Sequence, residues 1–122
     1  MKQKVHSVSY LAKAEFEFKN GVYDLVAIPS GAEVIKVSLE VVGNPTTGDI
    51  SVGFKDEAKK DYFLTLENIG SNKNATSAKD YTATSNKVVV AEVKNSIVND
   101  DNNIRGVLRV LYFLPSVIEV EY

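Results

Sequence analysis

Histidine is the side chain whose charge most readily changes near neutral pH, and this 122-residue chain has one, His6. Cysteine is absent, which excludes disulfides, thiolate metal ligands and a cysteine nucleophile. A Ser-His-Asp site would have to be built around His6, close to the N-terminus, and a zinc site usually needs several histidine or cysteine ligands. The sequence therefore predicts that His6 is a surface or edge-strand residue without a catalytic role.

Paired carboxylates are the other group that could carry chemistry, because glycoside hydrolysis uses two acids held at a fixed separation. Glu15 and Glu17 form one pair, and Glu119 and Glu121 form another. Residues two apart in a strand lie on the same face, and here they alternate with Phe or Val. This spacing is typical of the solvent-exposed face of a half-buried strand, so no catalytic residues are predicted.

The stretch Asn99 to Asn103 can be compared with a calcium-binding loop. If Asp101 is the first ligand, Arg105 takes the fifth ligand position and Tyr112 takes the twelfth, where a bidentate carboxylate is required. The stretch is predicted to be a solvated turn, with weak cation binding in an oligomer as the alternative. No glycine cluster precedes an amphipathic helix, so we predict no bound metal, no nucleotide and no other cofactor.

Composition limits the classes of partner. The chain is 44% hydrophobic and 25% charged, with a formal net charge of -2, which fits a single domain over residues 1–122. It lacks the basic excess of a nucleic-acid-binding protein. No apolar run reaches the roughly 18 residues of a membrane span, and no apolar stretch follows the basic N-terminus. We therefore expect neither nucleic acid nor membrane as a partner, and a soluble protein made in a cytoplasm.

The elements that must position these side chains are predicted to be β-strands. The chain is rich in residues that favour strands, and its turns are rich in Gly, Asn and Asp. The clearest strand is Glu33 to Val42, in which Ile35, Val37, Leu39 and Val41 alternate with polar residues and predict one buried face. The preceding residues 28–31, with Pro second and Gly fourth, predict a type I turn.

Further strands follow from the same patterns. Residues 14–28 contain an Asn-Gly pair between apolar runs and predict a hairpin. Residues 49–54 predict a short strand, residues 55–60 one helical turn capped by Asp56, and residues 69–78 a long exposed loop. The remaining strands are predicted at 87–93, 104–114 and 116–122. About eight strands at this spacing predict an antiparallel β-sandwich, with residues 1–13 as a possible extended N-terminal arm.

The strand at 104–114 is unusual because both of its faces carry apolar groups. Its second face presents Val107, Arg109, Leu111 and Phe113. A sandwich strand needs one apolar face only, so this face is either wrapped by a loop or meets another subunit. These four residues are the candidate interface. The six tyrosines are scattered over different strands, which favours core and rim packing over a platform for stacking sugars.

The order of these features resembles a group of small virion structural proteins of tailed bacteriophages. The resemblance lies in residues 21–37, an apolar strand, a Pro-x-Gly turn and an alternating strand, and it continues in residues 49–54, residues 61–64 and a last basic-apolar strand ending near Tyr112. It implies a jelly-roll-like β-sandwich that decorates capsids or builds head fibres, often as trimers. The chain departs from that pattern at Pro115 and the added strand after it.

The resemblance and the lack of catalytic groups together predict a structural protein of the phage virion and not an enzyme. An auxiliary or decoration protein on the capsid is favoured, bound to the major capsid protein or other virion proteins, and assembled as a homo-oligomer with a trimer preferred. The alternatives are a tail or fibre component, a module that binds carbohydrate or a cell surface, and a small hydrolase.

Overall fold

The computed structural model describes residues 1–97 and 104–121, which form eleven β-strands and no helix. Within those ranges no helix is long and apolar enough to cross a membrane. In chain order the strands are β1 (Lys2–His6), β2 (Ser9–Glu17), β3 (Gly21–Ile28), β4 (Glu33–Val42), β5 (Asp49–Phe54), β6 (Leu64–Leu66), β7 (Asn74–Ser77), β8 (Tyr81–Thr82), β9 (Lys87–Lys94), β10 (Arg105–Phe113) and β11 (Val117–Glu121).

Two sheets form an antiparallel sandwich, as predicted. One has the order β2-β10-β4-β7, with β8 also paired to β4, and the other has the order β3-β9-β5-β6. The chain passes from one sheet to the other between β2 and β3, β3 and β4, and β4 and β5. Because β7 and β8 share one edge of β4, the sandwich has eight strand positions, and β1 and β11 form a separate two-stranded sheet.

The core lies between the inner faces of the two sheets, where apolar residues alternate with exposed ones. Phe54, Leu39, Ile50 and Leu108 are among its largest fully buried side chains. Other buried members include Phe16, Phe18, Val26, Ile28, Val34, Val37, Val41, Val52, Phe63, Leu66, Ile69, Val89, Ala91, Val93, Val110 and Tyr112. Packing of these side chains holds the sheets together, since the chain has no disulfide.

Strand β4 has the predicted bounds, but one residue of its predicted buried face points outward. The register between β4 and β10 shifts so that Lys36 lies opposite Leu111 and Val34 lies opposite Tyr112. This irregularity buries Val34 fully and leaves Ile35 39% exposed. A bulge of this kind reverses the face of the residues beyond it, which the period-two pattern does not reveal.

The predicted hairpin at residues 14–28 is wrong. β2 pairs with β10 and β3 pairs with β9, so the turn between them connects different sheets. A tight hairpin of the Asn-Gly type needs positive φ at both central residues, and Asn20 is not among the described non-glycine residues with positive φ. Asn20 instead exchanges hydrogen bonds with Ser96: its Oδ1 accepts from the Ser96 backbone N–H at 2.9 Å, and its Nδ2 donates to the Ser96 carbonyl at 3.4 Å.

Three local predictions also need correction. The turn before β4 is closed by the Ala32 N–H donating to the Pro29 carbonyl at 3.1 Å, so Gly31, with φ +88°, is its third residue, as in a type II turn. Residues 55–60 form turns and bends without a helical turn. The predicted loop at 69–78 contains β7, which pairs with residues 37–40 of β4, and Ile69 is fully buried.

Candidate interaction surfaces

The predicted carboxylate pairs lie on exposed strand faces. Glu15 and Glu17 are on β2, where Glu15 Oε2 lies 3.6 Å from Arg105 Nε and Glu17 Oε2 lies 3.1 Å from Lys19 Nζ. Glu119 and Glu121 are exposed on β11. Glu119 Oε1 lies 3.9 Å from Lys2 Nζ, so three of these four acids form surface ion pairs. Among residues 1–97 and 104–121, no group of three or more His, Asp or Glu side chains could hold a metal ion.

His6 is half-buried where β1 approaches the sandwich. Its Nδ1 lies 2.9 Å from the Leu114 carbonyl oxygen, to which it donates a hydrogen bond. It also lines a shallow cavity of about 360 Å³ together with Glu33, Ile35, Asp80 and Phe113. The side chain therefore joins the N-terminal strand to the end of β10, a position consistent with the predicted edge-strand residue. The predicted turn at 99–103 lies outside the described residues.

The candidate interface on β10 is placed on the outer face of the five-stranded sheet. Val107, Leu111 and Phe113 alternate with the core residues Leu108, Val110 and Tyr112, as the pattern indicates. Val107 is only 2% exposed within the single chain. Arg109 Nη1 lies 3.3 Å from Glu40 Oε1. Two of the four predicted residues are thus already covered or paired by the chain itself, and Leu111 and Phe113 are half-buried.

Leu111 and Phe113 have exposed apolar neighbours on the two strands beside β10. Leu11 lies directly opposite Leu111 in the sheet and is 63% exposed. On the other side of β10, the bulge in β4 turns Ile35 outward, and Ile35 and Phe113 line the same cavity. We call Leu11, Ile35, Leu111 and Phe113 the outer patch. Exposed apolar side chains grouped in this way make the outer patch a candidate interaction surface.

Two of the described tyrosines belong to an aromatic cluster at the edge of the core. Tyr62 and Tyr81 pack with Phe54 and Phe63 at one end of the core, with ring centroids 4.6–5.2 Å apart for the contacts that involve Phe54. Lys79 Nζ lies 3.8 Å from the centroid of the Tyr62 ring. The sequence prediction of core and rim packing therefore describes these aromatic residues.

An ion pair between Asp56 and Lys87 links residues 55–60 to strand β9. Lys87 Nζ lies 2.6 Å from Asp56 Oδ2, and the Lys87 side chain is 17% exposed. The hydrogen bond from Lys87 holds the pKa of Asp56 below its ordinary value, and the same bond raises the pKa of Lys87. The Asp56 carboxylate, predicted to cap a helical turn, thus binds a strand residue instead.

No protein-family model and no curated protein matches the chain. A solved structure does, that of the acidic stable capsid of the Helicobacter pylori bacteriophage KHP30. One chain of that structure is 74% identical in sequence, the match covers 100% of both chains, and the TM-score is 0.90. The chain belongs to the structural proteins of bacteriophage virions. The family resemblance read from the sequence is thereby confirmed, and so is the predicted location in the virion.

The fold of this virion protein recurs in a more distant phage structure. A chain from the capsid asymmetric unit of cyanophage Pam1 matches with a TM-score of 0.66 at 20% identity, covering 88% of this chain and 85% of the other. At that level of identity the likeness concerns the fold alone.

Sequence reasoning also missed the ribbon formed by β1 and β11 in this virion protein. Strand β11 was predicted from the alternation in residues 116–122, but its partner β1 was not. The signal in β1 was the alternation of Lys2 and Lys4 with Gln3 and Val5. Charged residues at alternate positions are also common in coil, so this short pattern does not by itself predict a strand.

Proposed function

We propose that this virion protein is an auxiliary protein bound to the capsid shell, a decoration protein that takes part in contacts and not in catalysis. The observation that carries the proposal is the full-length match, at 74% identity, to a chain of a phage capsid structure. The burial of a continuous apolar core and the surface pairing of the carboxylates fit a protein that provides contact surfaces. The partner is the major capsid protein or another virion protein, with no nucleic acid, membrane or cofactor involved.

The outer patch is the proposed contact with a neighbouring virion subunit. Of the four interface residues predicted on β10, Leu111 and Phe113 remain accessible, and Leu11 and Ile35 extend the apolar surface around them. Val107 and Arg109 would support this surface from within the chain. The protein is proposed to act as a homo-oligomer, with a trimer favoured by the family resemblance.

Localisation and copy number in the particle test the proposal. Cryo-electron microscopy of the virion should place the protein on the capsid shell, and quantitative mass spectrometry should find it in hundreds of copies. A low copy number at the tail would replace the proposal with the second candidate, a tail or fibre component. Density restricted to a receptor-binding tip would favour a carbohydrate-binding or cell-surface-binding module.

Binding to particles that lack the protein tests the outer patch. Leu111→Asp and Phe113→Asp place a charge on the patch and should abolish binding, because burying an unpaired carboxylate at a contact is costly. Val22→Asp is the matched control, since Val22 is an exposed apolar residue on β3, in the other sheet. Binding by both patch variants at the wild-type level would remove the outer patch from the proposal.

A further inference from the structure

The ribbon formed by β1 and β11 has two unlike faces. Residues directly opposite each other in an antiparallel pair share a face, and the pairs are Lys2 with Glu121, Gln3 with Val120, Lys4 with Glu119, Val5 with Ile118 and His6 with Val117. One face therefore carries Val5, Ile118, Val120 and Gln3. The other face carries the lysines and glutamates, with Lys2 Nζ 3.9 Å from Glu119 Oε1. At the end of the ribbon this face also carries His6 and Val117.

The apolar face of the ribbon is uncovered within the chain. Val5 is 40% exposed and Ile118 is 61% exposed. Most residues of both strands are exposed on either face, and within residues 1–97 and 104–121 the two strands pair with each other and with no other strand. A two-stranded ribbon alone is at best marginally stable in water, and strands with a shared apolar face become stable when three or more associate. The alternating pattern is that of strands whose apolar face lies against a partner.

The charges of the two strands favour a second copy of the chain as the partner. Strand β1 carries Lys2 and Lys4 and no carboxylate, whereas β11 carries Glu119 and Glu121 and no cation. When copies of the chain are arranged head to tail in a ring, the basic edge of one ribbon faces the acidic edge of the next. Complementary charges of this kind favour one register and disfavour contacts between like edges. The apolar face carries no ionisable group, so copies can meet there without repulsion.

We infer that the ribbon is the contact between copies of this chain: ribbons from neighbouring copies pack head to tail with Val5, Ile118 and Val120 facing inward. Their lysines and glutamates face outward and pair within and between ribbons. A head-to-tail contact closes into a ring when its rotation permits, and three copies would bring six strands together. The inference deepens the homo-oligomer of the proposed function and rests on it, but it assigns the contact to the ribbon and not to the outer patch.

The molar mass of the full-length protein in solution tests the inference. Wild-type protein should have the mass of an oligomer by analytical ultracentrifugation at micromolar concentration. Val5→Asp and Ile118→Asp should weaken association on the order of 100-fold, because each places a carboxylate on the packed face, and should yield the mass of a single chain. Val22→Asp, which adds the same charge to an exposed valine outside the ribbon, should keep the wild-type mass.

Charge reversal gives a second, independent measurement. Lys2→Glu with Lys4→Glu makes both edges acidic and should dissociate the oligomer, as should Glu119→Lys with Glu121→Lys. The variant that carries all four substitutions again has one basic and one acidic edge, so it should recover the molar mass of the wild-type oligomer. Circular dichroism should report a folded sandwich in every variant, because the ribbon lies outside the core cluster.

Several results would overturn the inference. These are a wild-type monomer over the tested concentrations, an oligomer that survives both aspartate variants, or dissociation by Val22→Asp as well. An intact oligomer that fails to bind capsids would instead count against the proposed function and leave the ribbon contact standing. A monomer that binds capsids through the ribbon would make the shell protein its partner and reject the contact between copies.

Discussion

The ring of Phe16 lies against Gly106, its direct partner across the β2–β10 pair. A Cβ atom added to Gly106 would overlap three atoms of that ring. On its other side the Phe16 ring stacks on Tyr23 of β3, with ring centroids 5.5 Å apart and an interplanar angle of 29°. An aromatic side chain that covers a glycine in the opposite strand fixes the pair register and closes this end of the core.

Gly106→Ala should therefore lower the free energy of unfolding by about 1–3 kcal/mol, the usual cost of overpacking a core. Phe16→Leu removes the ring atoms that the new methyl group would meet, so Gly106→Ala should cost less in that background. Urea denaturation of the two single variants and the double variant measures the coupling free energy. In a parallel cycle with Phe63→Leu, an aromatic of the other cluster, the two changes should be additive. If Gly106→Ala cost the same free energy in the wild-type protein and in the Phe16→Leu variant, the contact between Phe16 and Gly106 would be contradicted.

This contact also shows why the pattern in residues 14–28 indicates strands but pairs them wrongly as a hairpin. Local alternation identifies a strand and its buried face, and it correctly gave the bounds of β4 and β5. It carries no information about which strand lies alongside. Phe16 and Tyr23 meet across the sandwich from two different sheets, a relation that depends on the long-range partners β10 and β9.

The candidate interface on β10 shows that local alternation is also limited in what it predicts for single residues. The prediction placed Val107, Arg109, Leu111 and Phe113 on one face of β10, and the alternation places them there. It could not reveal that Val107 is covered within the chain. It also assigned Ile35 to the core, because the bulge opposite Leu111 is a property of the pair of strands and not of β4 alone.

The segment predicted as a loop at 69–78 should contribute to stability. Ile69 is fully buried in the core cluster, and Ala75 of β7 packs against that cluster. Ile69→Ala should lower the free energy of unfolding by about 2–4 kcal/mol, because it leaves a cavity. Thr76→Ala, at an exposed position of β7, should change it by less than about 0.5 kcal/mol. Deletion of residues 71–77 should destabilise the fold, and a deletion variant with wild-type urea midpoint would show that this segment is dispensable.

Aspartate substitutions on β10 should separate folding from assembly. Val107→Asp buries a charge within the chain and should unfold the protein or lower its thermal midpoint by more than 10 °C or so, since a loss of several kcal/mol shifts a domain of this size by that amount. Leu111→Asp, at a half-buried position on the same face, should keep most of the thermal stability while particle binding is lost. Similar midpoints for the two variants would contradict the burial of Val107. Differential scanning fluorimetry makes the comparison.

The ion pair between Asp56 and Lys87 should stabilise the protein over a pH range that its two pKa shifts define. The Asp56 carboxyl has its pKa lowered from the ordinary 3.8, so its contribution is complete above that value and is lost as the pH falls through the lowered pKa. The Lys87 ammonium has its pKa raised from the ordinary 10.5, so its contribution is complete below that value and is lost as the pH rises through the raised pKa.

Asp56→Asn should consequently lower the thermal midpoint near neutral pH, and the difference from wild type should shrink toward zero as the medium becomes more acidic than the lowered pKa of Asp56. Asp24→Asn is the matched control, because Asp24 Oδ2 accepts a hydrogen bond from Lys55 Nζ at 2.7 Å but both side chains are more than half exposed. Solvent screens such a pair, so its removal should change the midpoint little at any pH. A difference for Asp56→Asn that is independent of pH would assign its effect to packing and not to the charge.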